Sequence, residues 1–275
     1  MSVVKIALIQ QAVSTCKSTN VDLGLALATA AAEQGARIIC FAELGFEPFY
    51  PQTPASTDVA SLAEPVPGPI TGRFQELARS LGVVIVLNLF EIEGEQTFDS
   101  SPVIDADGSL LGVTRMIHIT DYPCFHEKGY YAPGDRGAPV YETRFGKIGV
   151  AICYDRHYPE YMRALGVAGA EVVLIPQAGS VGEWPEGLYE AELRVAAFQN
   201  GYFTALCNRV GKEDELDFAG ESFVCDPSGV VVARAGTGTN EILVADLDLN
   251  EVASSHAKKL FLRDRRPELY AEWLS

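Results

Sequence analysis

The chain has 275 residues, 48% hydrophobic and 21% charged, which is enough apolar material for a full core without metals or disulfides. Its net charge of −16 and pI near 4.6 argue against nucleic acid and anionic lipid as partners, because both surfaces repel it. No apolar stretch approaches the roughly 18 residues a membrane helix needs, and MSVVKIALIQQAV at the N-terminus has neither the basic region nor the cleavage site of a signal peptide.

Read in chain order, residues 3–10 predict a strand, 22–35 a helix, 37–42 a strand, 70–81 a helix, and 83–89, 109–117 and 147–153 strands. A helix over 158–168, a strand over 171–175, a helix over 187–200 and strands over 202–207, 221–225, 230–234 and 242–247 follow. The helices are read from apolar residues at three- and four-residue spacing, the strands from short β-rich apolar runs. Gly35 and Gly82 stand where helix C-caps are expected, and Pro159 in a first helical turn. Strand–helix alternation followed by a strand-rich second half predicts α/β or α+β layers in one domain, residues 1–275. In the tail, residues 256–275, a charged run is followed by Leu269, Tyr270 and Trp273; it is expected to dock on a partner subunit or to fold back.

Six cysteines, at 16, 40, 124, 153, 207 and 225, form no CxxC pair and no Cys/His ligand spacing, which speaks against a disulfide scaffold or a structural zinc and for a reducing, cytoplasmic setting. Cys153 is the one with a chemical context. It ends the apolar run IGVAIC and precedes the polar YDRHYPE, as when a strand delivers a nucleophile to a strand–helix turn where backbone N–H groups converge. Its reaction with iodoacetamide is expected to outpace that of the other cysteines.

Glu43 follows another apolar strand in ARIICFAELGFEPFY; a desolvated carboxylate there is suited to take a proton from a thiol. Glu47 competes for the same role on sequence alone. The segment TRMIHITDYPCFHEKGYYAPGD, residues 114–135, concentrates His118, Asp121, His126, Glu127 and Lys128, a density typical of a functional loop. A thiol paired with His118, His126 or His157, as in thiol proteases, is the competing chemistry.

FAELGF, the 116–135 loop and KIGVAICYDRHYPE resemble, in order and spacing, the three signature segments of the nitrilase superfamily. Similar stretches continue through Pro176–Gly179, the helix ending at Asn200, Cys207–Gly211 and the turn Asp226–Gly229. The resemblance implies a four-layer αββα sandwich, a homodimer or higher homo-oligomer, a small-molecule substrate, and no metal or organic cofactor. It makes Cys153 the nucleophile that forms a thioester, Glu43 the general base and Glu127 a second carboxylate shaping the site. The Tyr154 N–H becomes an oxyanion donor, and Tyr50, Arg156 and His157 stand among the substrate contacts. CYDRHYPE is most similar to the branch of N-carbamoyl amidohydrolases, β-ureidopropionases and N-carbamoylputrescine amidases, in whose amino-acid-using members an arginine at the place of Arg156 binds a carboxylate.

One departure matters. The family's lysine, two residues before the motif histidine, is Met116 here, in Thr114-Arg115-Met116-Ile117-His118. Arg115 is expected to point to the opposite face of its strand. Losing an ammonium leaves Glu43 and Glu127 without their cation and predicts that they share a proton. Two functions follow: an impaired hydrolase of N-carbamoyl compounds or aliphatic amides, or an inactive binding protein of the same fold.

Overall fold

The computed structural model describes residues 3–56 and 58–273. Along the chain run β1 (Val3–Gln10), α1 (Lys17–Glu33), β2 (Ile38–Phe41), α2 (Pro69–Leu81), β3 (Val84–Val86), β4 (Leu89–Glu93), β5 (Gln96–Ile104) and β6 (Leu110–Arg115). Then come β7 (Val140–Thr143), β8 (Gly146–Val150), α3 (Pro159–Val167), β9 (Val172–Gln177), α4 (Leu188–Asn200), β10 (Phe203–Asn208), β11 (Val210–Lys212) and β12 (Asp217–Ala219). The series closes with β13 (Phe223–Cys225), β14 (Val231–Arg234), β15 (Glu241–Asp248), α5 (Asn250–Ser254) and α6 (Pro267–Trp273).

Side-chain alternation turns these strands into layers. One sheet has the order β15-β1-β2-β3-β5-β4 with β6 beside β5; the other is β14-β13-β10-β9-β8-β7. In β1, Ile6 and Leu8 face the second sheet, where they join Ile148, Val150, Val172, Leu174 and Ala205 in one buried cluster. Their neighbours Ala7 and Ile9 face outward into a cluster with Val21, Ala28, Phe74 and Ala78 of α1 and α2. On the far side, Ala151, Val173 and Ile175 pack on Tyr161, Leu165, Leu193 and Ala197 of α3 and α4. Three apolar interfaces between four layers make an αββα sandwich, as the resemblance implies.

Local chemistry sets the element ends. Helix α2 opens with Gly68 and Pro69 and closes at Gly82, whose left-handed φ of 65° lets its N–H reach Ala78 O. Helix α1 starts five residues before its predicted onset: Asn20 accepts from the Ser14 N–H and donates to Ser14 O and Phe46 O, fixing the first turn. The predicted strand 83–89 is broken after Val86, and 147–153 ends at Val150, so Cys153 is not a strand residue. Strands β4, β5, β7, β11 and β12 lay outside the sequence reading. The tail forms a π-helical turn at Ala257–Phe261 and then α6; residues 274 and 275 of the expected tail lie outside the described residues.

Phe41, Phe46 and Phe74 clamp β2 to α2 with ring centroids 5.0–5.3 Å apart. Truncating the fully buried Phe74 to alanine is expected to cost about 3–5 kcal/mol of unfolding free energy, read as a lowered urea midpoint at unchanged slope.

Candidate active site

Glu43 lies just past the end of β2, where Leu44 takes a left-handed φ of 43°. This bend is pinned from two sides. Asn88 Oδ1 accepts from the Leu44 N–H at 2.7 Å, and Arg209 Nη1 donates to Glu43 O at 3.0 Å. The carboxyl is wholly buried.

Cys153 opens a 3-10 turn, Cys153–His157, three residues beyond the end of β8. Its φ of 42° is a conformation that costs a non-glycine residue about 1–2 kcal/mol and survives because the surroundings enforce it. Arg156 Nη1 bridges Cys153 O at 2.8 Å and Gln177 Oε1 at 2.7 Å, while Gln177 Nε2 lies 3.3 Å from Cys153 Sγ. The turn leaves the Tyr154 N–H among the first amides of a helical segment, which have no partner within it.

Glu127 begins another 3-10 turn, and its Oε2 accepts from the Thr120 N–H at 3.3 Å. Sγ of Cys153 and one carboxylate oxygen each of Glu43 and Glu127 lie within 4.8 Å of one another, all buried. The three residues taken from separate motifs therefore meet at one point between the sheets.

Met116 is also there, 1% exposed, in the buried cluster that holds Cys153, Phe90 and Tyr131. Its backbone is fixed by N–H donation to Asp99 O at 2.9 Å and by the Gly134 N–H donating to Met116 O at 2.8 Å. A Cβ on Gly134 would meet Met116 O at 2.8 Å, so glycine is required there. Arg115 points to the other face as expected, into Glu91, Glu93 and Asp135, with its guanidinium 3.8 Å above the Phe98 ring.

The remaining expected contacts are placed as follows. Tyr50 donates to Glu47 Oε2, and Glu47 is otherwise paired with Lys17 at 2.9 Å, so Glu47 forms a separate cluster. His157 Nδ1 meets Glu192 at 2.7 Å, His118 Nδ1 meets Asp155 at 2.7 Å, and His126 lies 3.4 Å from Asp121. Each of these rings is engaged by a carboxylate, and none is the hydrogen-bond partner of Cys153. Tyr154 packs edge-on against His157 and Tyr158. Arg156 is buried, its guanidinium 4.5 Å from the Tyr189 ring and its Nε 3.5 Å from Glu192.

Sequence reading missed Asp99 and Tyr131. Asp99 is fully buried in β5, accepts from Asn88 Nδ2 and is raised by the Glu43 charge; the Tyr131 hydroxyl feels the same carboxyls and lacks a hydrogen-bond partner. The available signal was a single aspartate within the otherwise uncharged run QTFDSSPVI.

With so little solvent and so many acids, every charge here is disfavoured. Burial, then Glu127, pushes Glu43 up to about 8, against pulls from hydrogen bonds to Asp99 and Cys153. Burial lifts Glu127 and Asp99 well above the carboxylate range, and it lifts the Cys153 thiol, helped by Glu43 and Glu127. The thiol is thus neutral at rest, and Glu43 is its hydrogen-bonded acceptor.

Two outcomes follow. Cys16 is exposed at the start of α1, and hydrogen bonds from Ser18 and Thr19 lower its thiol to about 7. Contrary to the expectation from sequence, iodoacetamide at pH 7 should therefore label Cys16 faster than Cys153, as peptide mass mapping will show. Glu43, raised from 4.5 to about 8, favours folding fully below pH 4.5, and that advantage is lost as pH rises through 8. Glu43→Gln should accordingly raise the thermal midpoint at pH 9 relative to the parent chain and give no such gain at pH 4.

The carbon-nitrogen hydrolase family profile matches residues 5–257. An N-carbamoylputrescine amidase from Solanum lycopersicum is 39% identical over 97% of this chain and 93% of its own length. The crystal structure of a carbon-nitrogen hydrolase from Helicobacter pylori G27 superposes with a TM-score of 0.93 at 29% identity, covering 99% of both chains. A mutant of an amidase from Nesterenkonia sp. AN1, solved with the acetamide moiety of fluoroacetamide added at its active-site cysteine, matches with a TM-score of 0.82 at 29% identity, covering 98% of this chain and 96% of its own length. The chain belongs to the carbon–nitrogen hydrolase family and has the fold of the nitrilase-superfamily amidases.

Proposed function

We propose that the chain hydrolyses the carbon–nitrogen bond of an N-carbamoyl amine, with simple aliphatic amides as the nearest alternative class. The observation that carries this reading is the convergence of Cys153, Glu43 and Glu127 within 4.8 Å. Cys153 Sγ attacks the carbamoyl carbon while Glu43 takes the thiol proton. The oxygen gathers negative charge opposite the Tyr154 N–H. Glu43 then passes the proton to the leaving nitrogen, and a water molecule, deprotonated by Glu43, hydrolyses the thioester. Glu127 frames the pocket opposite Glu43.

Charge around the site favours an amine over an amino acid as the leaving portion. Arg156, the residue expected to hold a substrate carboxylate, supports the nucleophile's carbonyl and Gln177 through Nη1 and has Glu192 3.5 Å from its Nε, leaving only Nη2 without a protein group beside it. Glu183 adds a second carboxylate, held by the hydroxyls of Tyr122 and Tyr189 and acting electrostatically on Cys153. An acidic surround attracts a cationic tail, in keeping with the N-carbamoylputrescine amidase relative.

Met116 sets the rate. A thioether offers no positive charge to the developing oxyanion, and removing one such donor typically costs about 10²–10³ in turnover. Ammonia release from N-carbamoylputrescine, N-carbamoyl-β-alanine and short amides tests the proposal. Met116→Lys is expected to raise turnover on the preferred substrate by about 10²–10³-fold, and Cys153→Ala to abolish it. The introduced ammonium should also move the alkaline-rising limb of the rate profile to lower pH, because it favours ionised Glu43. Saturable binding of these compounds with no turnover by either form would replace the hydrolase by a ligand-binding protein.

A further inference from the structure

Arg209 is fully buried at the corner between β10 and β11. Its backbone belongs to the sheet from which Cys153 emerges, and its guanidinium crosses to the chain that carries Glu43. Nη1 donates to Glu43 O at 3.0 Å, to Leu44 O and to Glu47 O at 3.1 Å; Nη2 reaches Glu47 O at 3.1 Å and pairs with Glu213. The Phe218 ring covers the guanidinium from 4.9 Å. Glu213 in turn accepts from the Phe49 N–H at 2.9 Å and from Gln52 Nε2 at 3.1 Å. The stretch from Glu43 to Gln52 is therefore gripped from the opposite sheet. Three carbonyls turned toward one cation also explain how Leu44 keeps its φ of 43°, a conformation that persists only where the surroundings enforce it.

The other end of this strut lies at the nucleophile. Asn208 pairs with Gln177 across β10 and β9, and the Arg209 N–H donates to Gln177 O at 3.1 Å. Gln177 Nε2 is 3.3 Å from Cys153 Sγ, and its Oε1 is held by Arg156 Nη1 at 2.7 Å. Base and nucleophile follow strands of separate sheets, and Arg209 bonds to the main chain on both sides of the gap.

We infer that Arg209 is a positioning residue that sets the distance between the Glu43 carboxyl and Cys153 Sγ, acting through the Glu43 and Leu44 carbonyls on one side and Gln177 on the other. The role belongs to the fork more than to the charge. A planar guanidinium satisfies several acceptors at fixed angles, whereas an ammonium in its place is a point donor on a flexible stem. The bearing on turnover rests on the hydrolase reading, in which a misplacement of about 1 Å costs about 100-fold.

Alkylation tests the assignment without turnover. Each variant is treated with iodoacetamide at pH 9, above the value of about 8 to which Glu43 is raised, and mapped by peptide mass. The exposed Cys16 serves as internal reference, and the wholly buried Cys40 and Cys207 report an opened core. Arg209→Lys keeps the charge and loses the fork; its Cys153 labelling relative to Cys16 should fall about 10–100-fold while Cys40 and Cys207 stay unlabelled. Glu213→Gln, which removes the counter-charge that orients the guanidinium, should shift the ratio the same way by a smaller factor. In the Met116→Lys background, Arg209→Lys should lower kcat for ammonia release with little change in KM. A Cys153 ratio that stays constant in both variants overturns the assignment. So does a ratio that rises together with labelling of Cys40 and Cys207, since Arg209 would then only hold the fold closed. Absence of turnover in every form counts against the hydrolase reading alone, and the alkylation ratio then decides this one.

Discussion

The site is governed by the cost of burying acids without a cation. Glu43 and Glu127 converge with a thiol between two sheets, and Asp99 is buried with them. An isolated ionised carboxylate in such surroundings costs so much that it changes protonation instead. The upward shift of every carboxyl here and the chemistry open to Cys153 follow from that constraint. It also separates this site from a thiol–imidazole pair, in which the base would itself become positive. Here the base is an anion that becomes neutral, so the neighbouring charges suppress a resting thiolate while leaving proton transfer during attack available.

The scaffold tolerates this because its rigid parts are satisfied elsewhere. Asn88 serves Leu44 N, Asp99 Oδ1 and Ser101 Oγ at once, locking the two acid-bearing segments to each other. Arg209 gathers the carbonyls around Glu43, and Arg156 braces the strained turn at Cys153 from below. Their positive charge still acts on the site, Arg209 on Glu43 and Arg156 on Cys153, but burial and the neighbouring acids outweigh it. Both are used as backbone clamps, which suits a planar donor fork.

Much of the layered fold was legible because it rests on periodicity. β1, α2, α3, α4 and β15 appear within a residue or two of where apolar spacing puts them. What escaped was β5. Its residues Thr97, Asp99, Ser100 and Ser101 interrupt any apolar run, yet their side chains find Tyr130 O, Asn88 and Glu91 inside the fold. A strand whose polar groups find tertiary partners carries no local signal, and Asp99 was hidden with it. Glu43, Glu127 and Cys153 were legible only through the motifs that contain them. Glu43 and Glu127 stand close together as their motifs suggest, and Asp99 adds a third buried acid that could not be counted from sequence when β5 is not recognised.

The opposed directions of Arg115 and Met116 have a consequence for how this protein can change. One strand carries, on adjacent residues, a fully neutralised ion cluster on its outer side and an acid-rich pocket on its inner side. The pleat therefore works as a partition one peptide thick. The outer cluster anchors β6 to β4 whatever stands at position 116, so the charge of the pocket can be rewritten by a single codon while the sheet that frames it stays as it is.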